Sequence, residues 1–212
     1  VEESAKLVYA GCRYSFYLLL LIAVPVMINI DYLLQLWLGT VPEYTSQFLV
    51  LALIAALINV MAPPIVTALQ ATGKIKVFQI VICIIMLLEL PLAYSILYYG
   101  GKPYMAMYPT ILVMFIGLFA RFIILRRLIP VYRLRYFIIN IVVRNLLIGM
   151  ICFLLSLWIG KCFQQDFIHF LLTSLLTVVL SGFTIYILGL SRKERTKIMI
   201  LIKNKIFIKH DK

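Results

Sequence analysis

Apolar residues in this chain run on without interruption. They show neither the strict alternation of a half-buried strand nor the single stripe of a soluble amphipathic helix. A hydrocarbon core about 30 Å thick takes ~20 residues of helix to cross. Six runs meet that length, at about 14–38, 45–70, 76–99, 104–127, 137–160 and 167–190. The second has no charge between Tyr44 and Gly73, the fourth none from Pro103 to Ala120, and the sixth none from Phe167 to Ser191. The first, third and fifth carry Asp31, Glu89 and Arg144. Continuous runs predict helices, because barrel strands alternate in units of about ten residues and a helix satisfies its own backbone in oil. The predicted fold is an all-α membrane protein, with a six-span bundle over 1–190 and a basic amphipathic tail over 191–212.

Turn residues punctuate the runs: Gly39 with Pro42, Gly73, Gly100-Gly101 with Pro103, Pro130, and Gly160. Connections 39–44, 100–103 and 161–166 fall on one side of the predicted bundle, and 71–75 and 128–136 on the other. Composition agrees. The chain is 64% apolar and 13% charged, against roughly 45–50% and about 25% in soluble domains. That excludes a soluble enzyme, and nucleic acid is not an expected partner. The net charge of +12 instead sets orientation. Lys6, Arg13, Lys74, Lys76, Arg126, Arg127, Arg133, Arg135 and the tail bases lie on one side. Lys102 and Lys161 alone lie on the other. The positive-inside rule puts the basic side, with both termini, in the cytoplasm.

In the tail, Ile198, Met199, Leu201, Ile202, Ile206 and Phe207 interleave with bases. Such a segment either rests as a helix on anionic inner-leaflet lipids or serves as a solvated anchor, and both readings stay open. Lys74, Lys76, Arg192, Lys193, Arg195 and Lys197 are the membrane-surface candidates.

Few residues offer chemistry. Cys12, Cys83, Cys152 and Cys162 form no C-x-x-C pair, and His169 and His210 lack ligand-spaced partners. No metal, cofactor or catalytic constellation is expected. Glu89 lies mid-span with Pro91 two residues on. A carboxylate at that depth costs about 2.5–3.5 kcal/mol on insertion scales, so it is expected to face the bundle interior or a wet cavity, either as a proton- or cation-coupling group or as a carboxyl bonded to a neighbouring helix. Arg144 lies roughly 10 Å into its span at 1.5 Å per residue; it either holds a phosphate or snorkels to the headgroups. Arg121, nearer its span's basic end, is expected to snorkel. Pro63-Pro64, with Asn59 one turn ahead, marks a broken helix. Breaks of this kind line cavities and act as hinges in transporters. Glu89, Arg144 and Asn59 are therefore the transport candidates, and Pro63, Pro64 and Pro91 the hinge candidates.

The order of several short motifs resembles a known family. Leu36-Trp37-Leu38-Gly39 with Pro42 and Tyr44 is followed by Ala68-Leu69-Gln70-Ala71-Thr72-Gly73-Lys74-Ile75-Lys76. Leu90-Pro91-Leu92-Ala93-Tyr94 and Gly100-Gly101-Lys102-Pro103 come next, and Gly189-Leu190-Ser191-Arg192-Lys193-Glu194-Arg195 closes the series. This layout is similar to the C-terminal portion of Wzx-type polysaccharide flippases, in the MATE-like multidrug/oligosaccharidyl-lipid/polysaccharide exporter superfamily. The resemblance implies a fold of twelve to fourteen helices, of which this chain would match the last six. It implies as partners the upstream helices of the same polypeptide, a lipid-linked oligosaccharide, and the polysaccharide assembly machinery. The implied function is flipping of undecaprenyl-diphosphate-linked sugars across the bacterial inner membrane. Val1 in place of Met fits a piece of a longer chain. A drug or cation exporter of the same superfamily, or a truncated chain inactive alone, are the alternatives. Outer connections of about six residues argue against a membrane-embedded enzyme.

A reporter enzyme active only outside the cytoplasm, fused after Lys212, is expected to give no signal. Strong activity would reverse the topology.

Overall fold

Why the runs become six helices is visible in their packing. The computed structural model describes residues 2–160, 167–190 and 194–196. Among these it has helices and turns but no strand, and six helices are long and apolar enough to cross a membrane: Glu2–Ile28, Thr45–Ala71, Ile75–Tyr98, Pro103–Leu128, Leu134–Trp158 and Phe167–Gly189. The elements are α1 (Glu2–Ile28), α2 (Ile30–Leu38), α3 (Thr45–Asn59), α4 (Ala62–Ala71), α5 (Ile75–Leu87), α6 (Glu89–Tyr98), α7 (Met107–Leu128), α8 (Leu134–Phe137), α9 (Arg144–Gly160) and α10 (Phe167–Thr184). A 3₁₀ turn at Pro103–Ala106 leads into α7. π-helical turns at Ile138–Val143 and Ile185–Gly189 follow α8 and α10.

The first span begins earlier than the apolar run predicts. Helix starts at Glu2 instead of residue 14, because the polar opening has one small apolar face. Ala5, Val8, Cys12, Phe16, Leu20, Ala23 and Met27 are buried at a period near 3.6. Glu2, Glu3 and Lys6 take the exposed side. Pro25 lies inside α1, and the helix yields one turn later at Asn29, where α2 begins. At that height Ser46 donates to Asp31 Oδ1 at 2.6 Å, so α2 carries Trp37 past the body of the bundle, 84% exposed.

Residues are sorted by size and shape more than by polarity, as expected where lipid is as apolar as leucine. α1 packs against α3, α4, α9 and α10, and α7 against α3, α4, α5 and α6. Gly11 lets α1 approach the proline pair: a Cβ added there would stand 3.1 Å from Pro64 Cβ. Leu7, Leu18 and Ile22, on the other side of α1, stay outside. The α5–α6 span is peripheral, with Phe78 its one buried residue.

At the basic end an aromatic cluster pins the 129–133 connection. Phe122 and Phe137 stack at 3.9 Å with an 8° interplanar angle. Tyr132 meets Phe122 edge-on, and Tyr9 contacts Phe122, Tyr132 and Tyr136. The Arg133 backbone N–H donates to Tyr9 Oη at 2.9 Å. On the far side of α1, Tyr17 Oη donates to Gly189 O. Tyr9 and Tyr17 are eight residues apart, so the last span ends about 12 Å short of that connection.

Truncating a fully buried Phe costs about 3–5 kcal/mol in soluble cores. Phe122, 0% exposed, is expected to cost that much on change to Ala and much less on change to Leu. Thermal midpoints of the purified proteins in one detergent check this, with equal midpoints contradicting it.

Candidate functional site

α10 is built inside-out. Thr173, Thr177, Ser181 and Thr184 are buried, while Ile168, Leu171, Leu175, Val179 and Phe183 point outward. The spacing of four, four and three puts the hydroxyls on one face. That face meets α1 and α9. Thr173 Oγ1 donates to Asn29 Oδ1 at 3.0 Å, and Asn29 Nδ2 donates to Ser174 Oγ at 3.3 Å and to Pro25 O at 3.0 Å. Thr177 and Thr184 donate back to Ser174 O and Leu180 O. From α9, Asn145, Cys152 and Ser156 are wholly buried on a matching face. Cys152 sits beside Ser181 and Thr184. Asn145 Nδ2 reaches Met61 Sδ at 3.4 Å, and Cys12 Sγ donates to Met61 O. A polar seam thus runs between spans one, five and six and touches the break in span two. Asn145 Oδ1, Ser156 Oγ and Ser181 Oγ are enclosed in it without a hydrogen-bond partner among the described residues. Sequence reading missed this seam, though the Thr173, Thr177, Ser181, Thr184 spacing was there to be read.

At its basic end the seam is closed by a collar of donors. A helix leaves its last four carbonyls unmet. Here Arg195 donates to Ile187 O and, at 3.3 Å, to Leu190 O. Arg144 Nε and Nη2 donate to Leu188 O at 3.0 and 2.5 Å, and Tyr17 takes Gly189 O. Arg13 pairs with Glu194 at 2.5 Å beside them. Arg144, expected to hold a phosphate or to snorkel, is therefore a cap on α10, at the negative end of its dipole.

Arg121 also departs from expectation. It is 8% exposed, and its guanidinium folds back over Gly117, where an added Cβ would lie 3.0 Å from Nη1. Helical side chains lean toward the N-terminus. In α7 that direction leads away from the basic end, so snorkelling would oppose the rotamer. Arg121 Nη1 has no hydrogen-bond partner among the described residues.

The remaining candidates are scattered. Glu89 sits on the peripheral α6, half-buried, and Oε1 accepts from Thr110 Oγ1 of α7 at 2.6 Å. It faces a neighbouring helix, and the expected bundle interior lies elsewhere, because α5–α6 packs outside the central helices. Asn59 is exposed at the end of α3. Pro63 and Pro64 open α4 after the break at Val60–Met61, and Pro91 sits in the first turn of α6 after the break at Leu88. Thr67 and Ser95 return hydroxyl bonds to Pro63 O and Pro91 O. Lys74, on the Gly73 turn, shares with Arg127 the mouth of an apolar cleft of about 440 Å³ between α5 and α7, and Lys76 is exposed nearby. Arg192, Lys193, Lys197 and the rest of the expected amphipathic tail lie outside the described residues, Glu194–Thr196 excepted. No group of three metal-ligating side chains occurs among the described residues.

Compared with family models, curated proteins and solved structures, the chain matches none.

An enclosed donor without an acceptor costs about 1–3 kcal/mol. Arg121→Met is therefore expected to leave the thermal midpoint of the purified protein unchanged or raise it. A clear fall would mean that the guanidinium holds the bundle together.

Proposed function

We propose that the chain is the C-terminal portion of a transporter that flips undecaprenyl-diphosphate-linked oligosaccharide across the bacterial cytoplasmic membrane by alternating access, with both termini cytoplasmic. The carrying observation is the pattern of interruption. Four of the six spans are broken or π-turned, at Val60–Met61, Leu88, Ile138–Val143 and Ile185–Gly189, a fifth interruption at Asn29 divides α1 from α2, and α1 and α7 run on as regular helix. Non-helical backbone at membrane depth persists where protein or a wet cavity covers it, and broken helices are the working parts of many transporters. Four of the five interruptions belong to spans that meet at the polar seam. The three orphaned seam oxygens are costly in an apolar interior, and a polar passage is where that cost brings a return.

The physics of the cargo fits. A diphosphate with its sugars cannot cross about 30 Å of hydrocarbon unaided. Rocking spans hinged at Pro63-Pro64 would open the seam to each side in turn, while the exposed leucines and isoleucines accommodate the polyprenyl tail. The family motifs in order, from Trp37-Leu38-Gly39 to the basic ending, direct the reading to glycan-linked lipid. In this reading the chain performs no covalent chemistry, and Glu89 serves as a helix-to-helix bond.

The test is complementation. Expressed from its complete gene in a strain lacking its own flippase, the protein is expected to restore surface polysaccharide. Pro63→Ala with Pro64→Ala is expected to cut that export at least fivefold at an equal membrane level. Lowered drug accumulation without restored polysaccharide would overturn the proposal in favour of a drug exporter.

A further inference from the structure

The basic end holds a second cavity, of about 480 Å³, that belongs neither to the seam nor to the α5–α7 cleft. Arg126 enters it from the end of α7, Arg133 from the connection, and Arg135 from the first turn of α8. Leu134, Ile138 and Ile139 form its apolar wall. All three arginines are exposed. The ion pair that the described residues form, Arg13–Glu194, lies at the α10 collar. Glu2 and Glu3, just before Ser4 and its contact with Tyr132, are exposed and form no ion pair with the three among the described residues.

This cavity is held in shape. Tyr132, at its back, is 1% exposed and locked by Phe122 and Tyr9. The Arg133 backbone is tied to Tyr9 Oη. The end of α7, the connection and the start of α8 thus bring three guanidinium groups to one recess on an anchored backbone. Guanidinium forks without carboxylates match the oxygens of a phosphate, which they bind through paired N–H donors.

The wall identifies what carries the phosphate. From Ile139 an apolar stripe climbs the outer face of the fifth span through Val143, Leu147, Met150 and Leu154, all exposed. Steps of four, four, three and four keep these residues on one helix face. A charged recess at the membrane surface, continuous with an oil-facing track, has the outline of a lipid: headgroup below, acyl chain above. Basic pockets between transmembrane helices hold acidic headgroups in this way.

We propose that the Arg126–Arg133–Arg135 cavity binds the phosphate headgroup of an anionic phospholipid, with an acyl chain lying along the Ile139–Leu154 stripe. The proposal rests on the six helices spanning a bilayer and is independent of what the protein transports. Such a lipid would brace the 129–133 connection against α1.

The experiment is native mass spectrometry of the full chain in a neutral detergent, offered phosphatidylglycerol and phosphatidylcholine with identical acyl chains. Phosphatidylglycerol is expected to be retained at least tenfold better. Arg126→Gln, Arg133→Gln and Arg135→Gln together should abolish that preference, whereas Arg192→Gln, Lys193→Gln and Lys197→Gln together should leave it intact. Millimolar inorganic phosphate should not displace the lipid. Equal retention of the two lipids, a preference that survives the arginine changes or disappears with the tail changes, or full displacement by inorganic phosphate would each overturn the proposal. Should the triple arginine variant not fold, a photoreactive phenylalanine analogue at position 139 of the otherwise unchanged chain decides. It is expected to cross-link the acyl chain of phosphatidylglycerol, and failure to capture that lipid would refute the site. A protein that binds phosphatidylglycerol in this way yet fails to restore polysaccharide would retain the lipid site and lose the flippase reading.

Discussion

In a bilayer two apolar helices gain nothing by leaving lipid for each other, so close fit and interhelical hydrogen bonds must do what the hydrophobic effect does in water. The seam between α1, α9 and α10 meets that constraint. Interhelical hydrogen bonds inside membranes average about 0.6 kcal/mol, so the bonds of Asn29 to Thr173 and Ser174 account for a small part of the adhesion. Close approach accounts for more. Gly149 admits Phe16, and Gly189 sits against Tyr17, where an added Cβ would be 3.0 Å from the ring. Small hydroxyls on α10 let α1 and α9 come near, and the large aliphatics of the same helix are left to the lipid.

The same constraint explains how the arginines are used. A carbonyl without a partner in hydrocarbon costs several kcal/mol, and the end of the last span presents four of them, from Ile187 to Leu190. Arg144, Arg195 and Tyr17 cover all four. Farther toward the basic end, where the connection extends beyond the last span, Arg126, Arg133 and Arg135 have no such duty. Position along the bundle therefore divides one residue type into two roles: guanidinium donors satisfy backbone at the end of the last span, and remain available for an external anion where the connection extends beyond it. Arg121 falls in neither group, since its rotamer leads inward and Gly117 makes room for it.

How much of this could be read from the sequence depended on which physical signal was one-dimensional. The second to sixth runs, the turns at Gly39, Gly73 and Gly100, and the helix breaks near Pro63 and Pro91 are local properties, and they appear where the pattern puts them, whereas the run 14–38 divides into a span ending at Ile28 and the separate helix Ile30–Leu38. The start of α1 was obscured because a window average counts Glu2, Glu3 and Lys6 equally with Ala5, Val8 and Cys12. Periodicity separates the two sets, and hydropathy alone does not. The seam was overlooked for the opposite reason: threonine and serine depress hydropathy too little to stand out, although their spacing on α10 is regular. Glu89 could not be placed from the chain at all. Whether a mid-span carboxylate faces a cavity or a neighbour depends on which helices lie outermost, and nothing within 76–99 encodes that α5–α6 packs at the rim.

These arrangements leave the bundle with unequal halves. On the α7 side, packing is aliphatic and aromatic and α7 itself is uninterrupted. On the α10 side, packing is polar, α9 and α10 adjoin π-helical turns, and enclosed oxygens lack partners among the described residues. A fold selected only for rigidity would replace Ser156 and Ser181 with alanine, losing one hydroxyl each and removing an orphan acceptor. Retaining these oxygens gathers unmet hydroxyl and amide groups where spans one, five and six meet, with Arg121 Nη1 on α7 a counterpart outside the seam among the described residues. An interface of that kind has a lower cost of separation than the aromatic cluster at Phe122 and Phe137, so any opening of the bundle should begin at the seam, with α7 and its neighbours moving as one body.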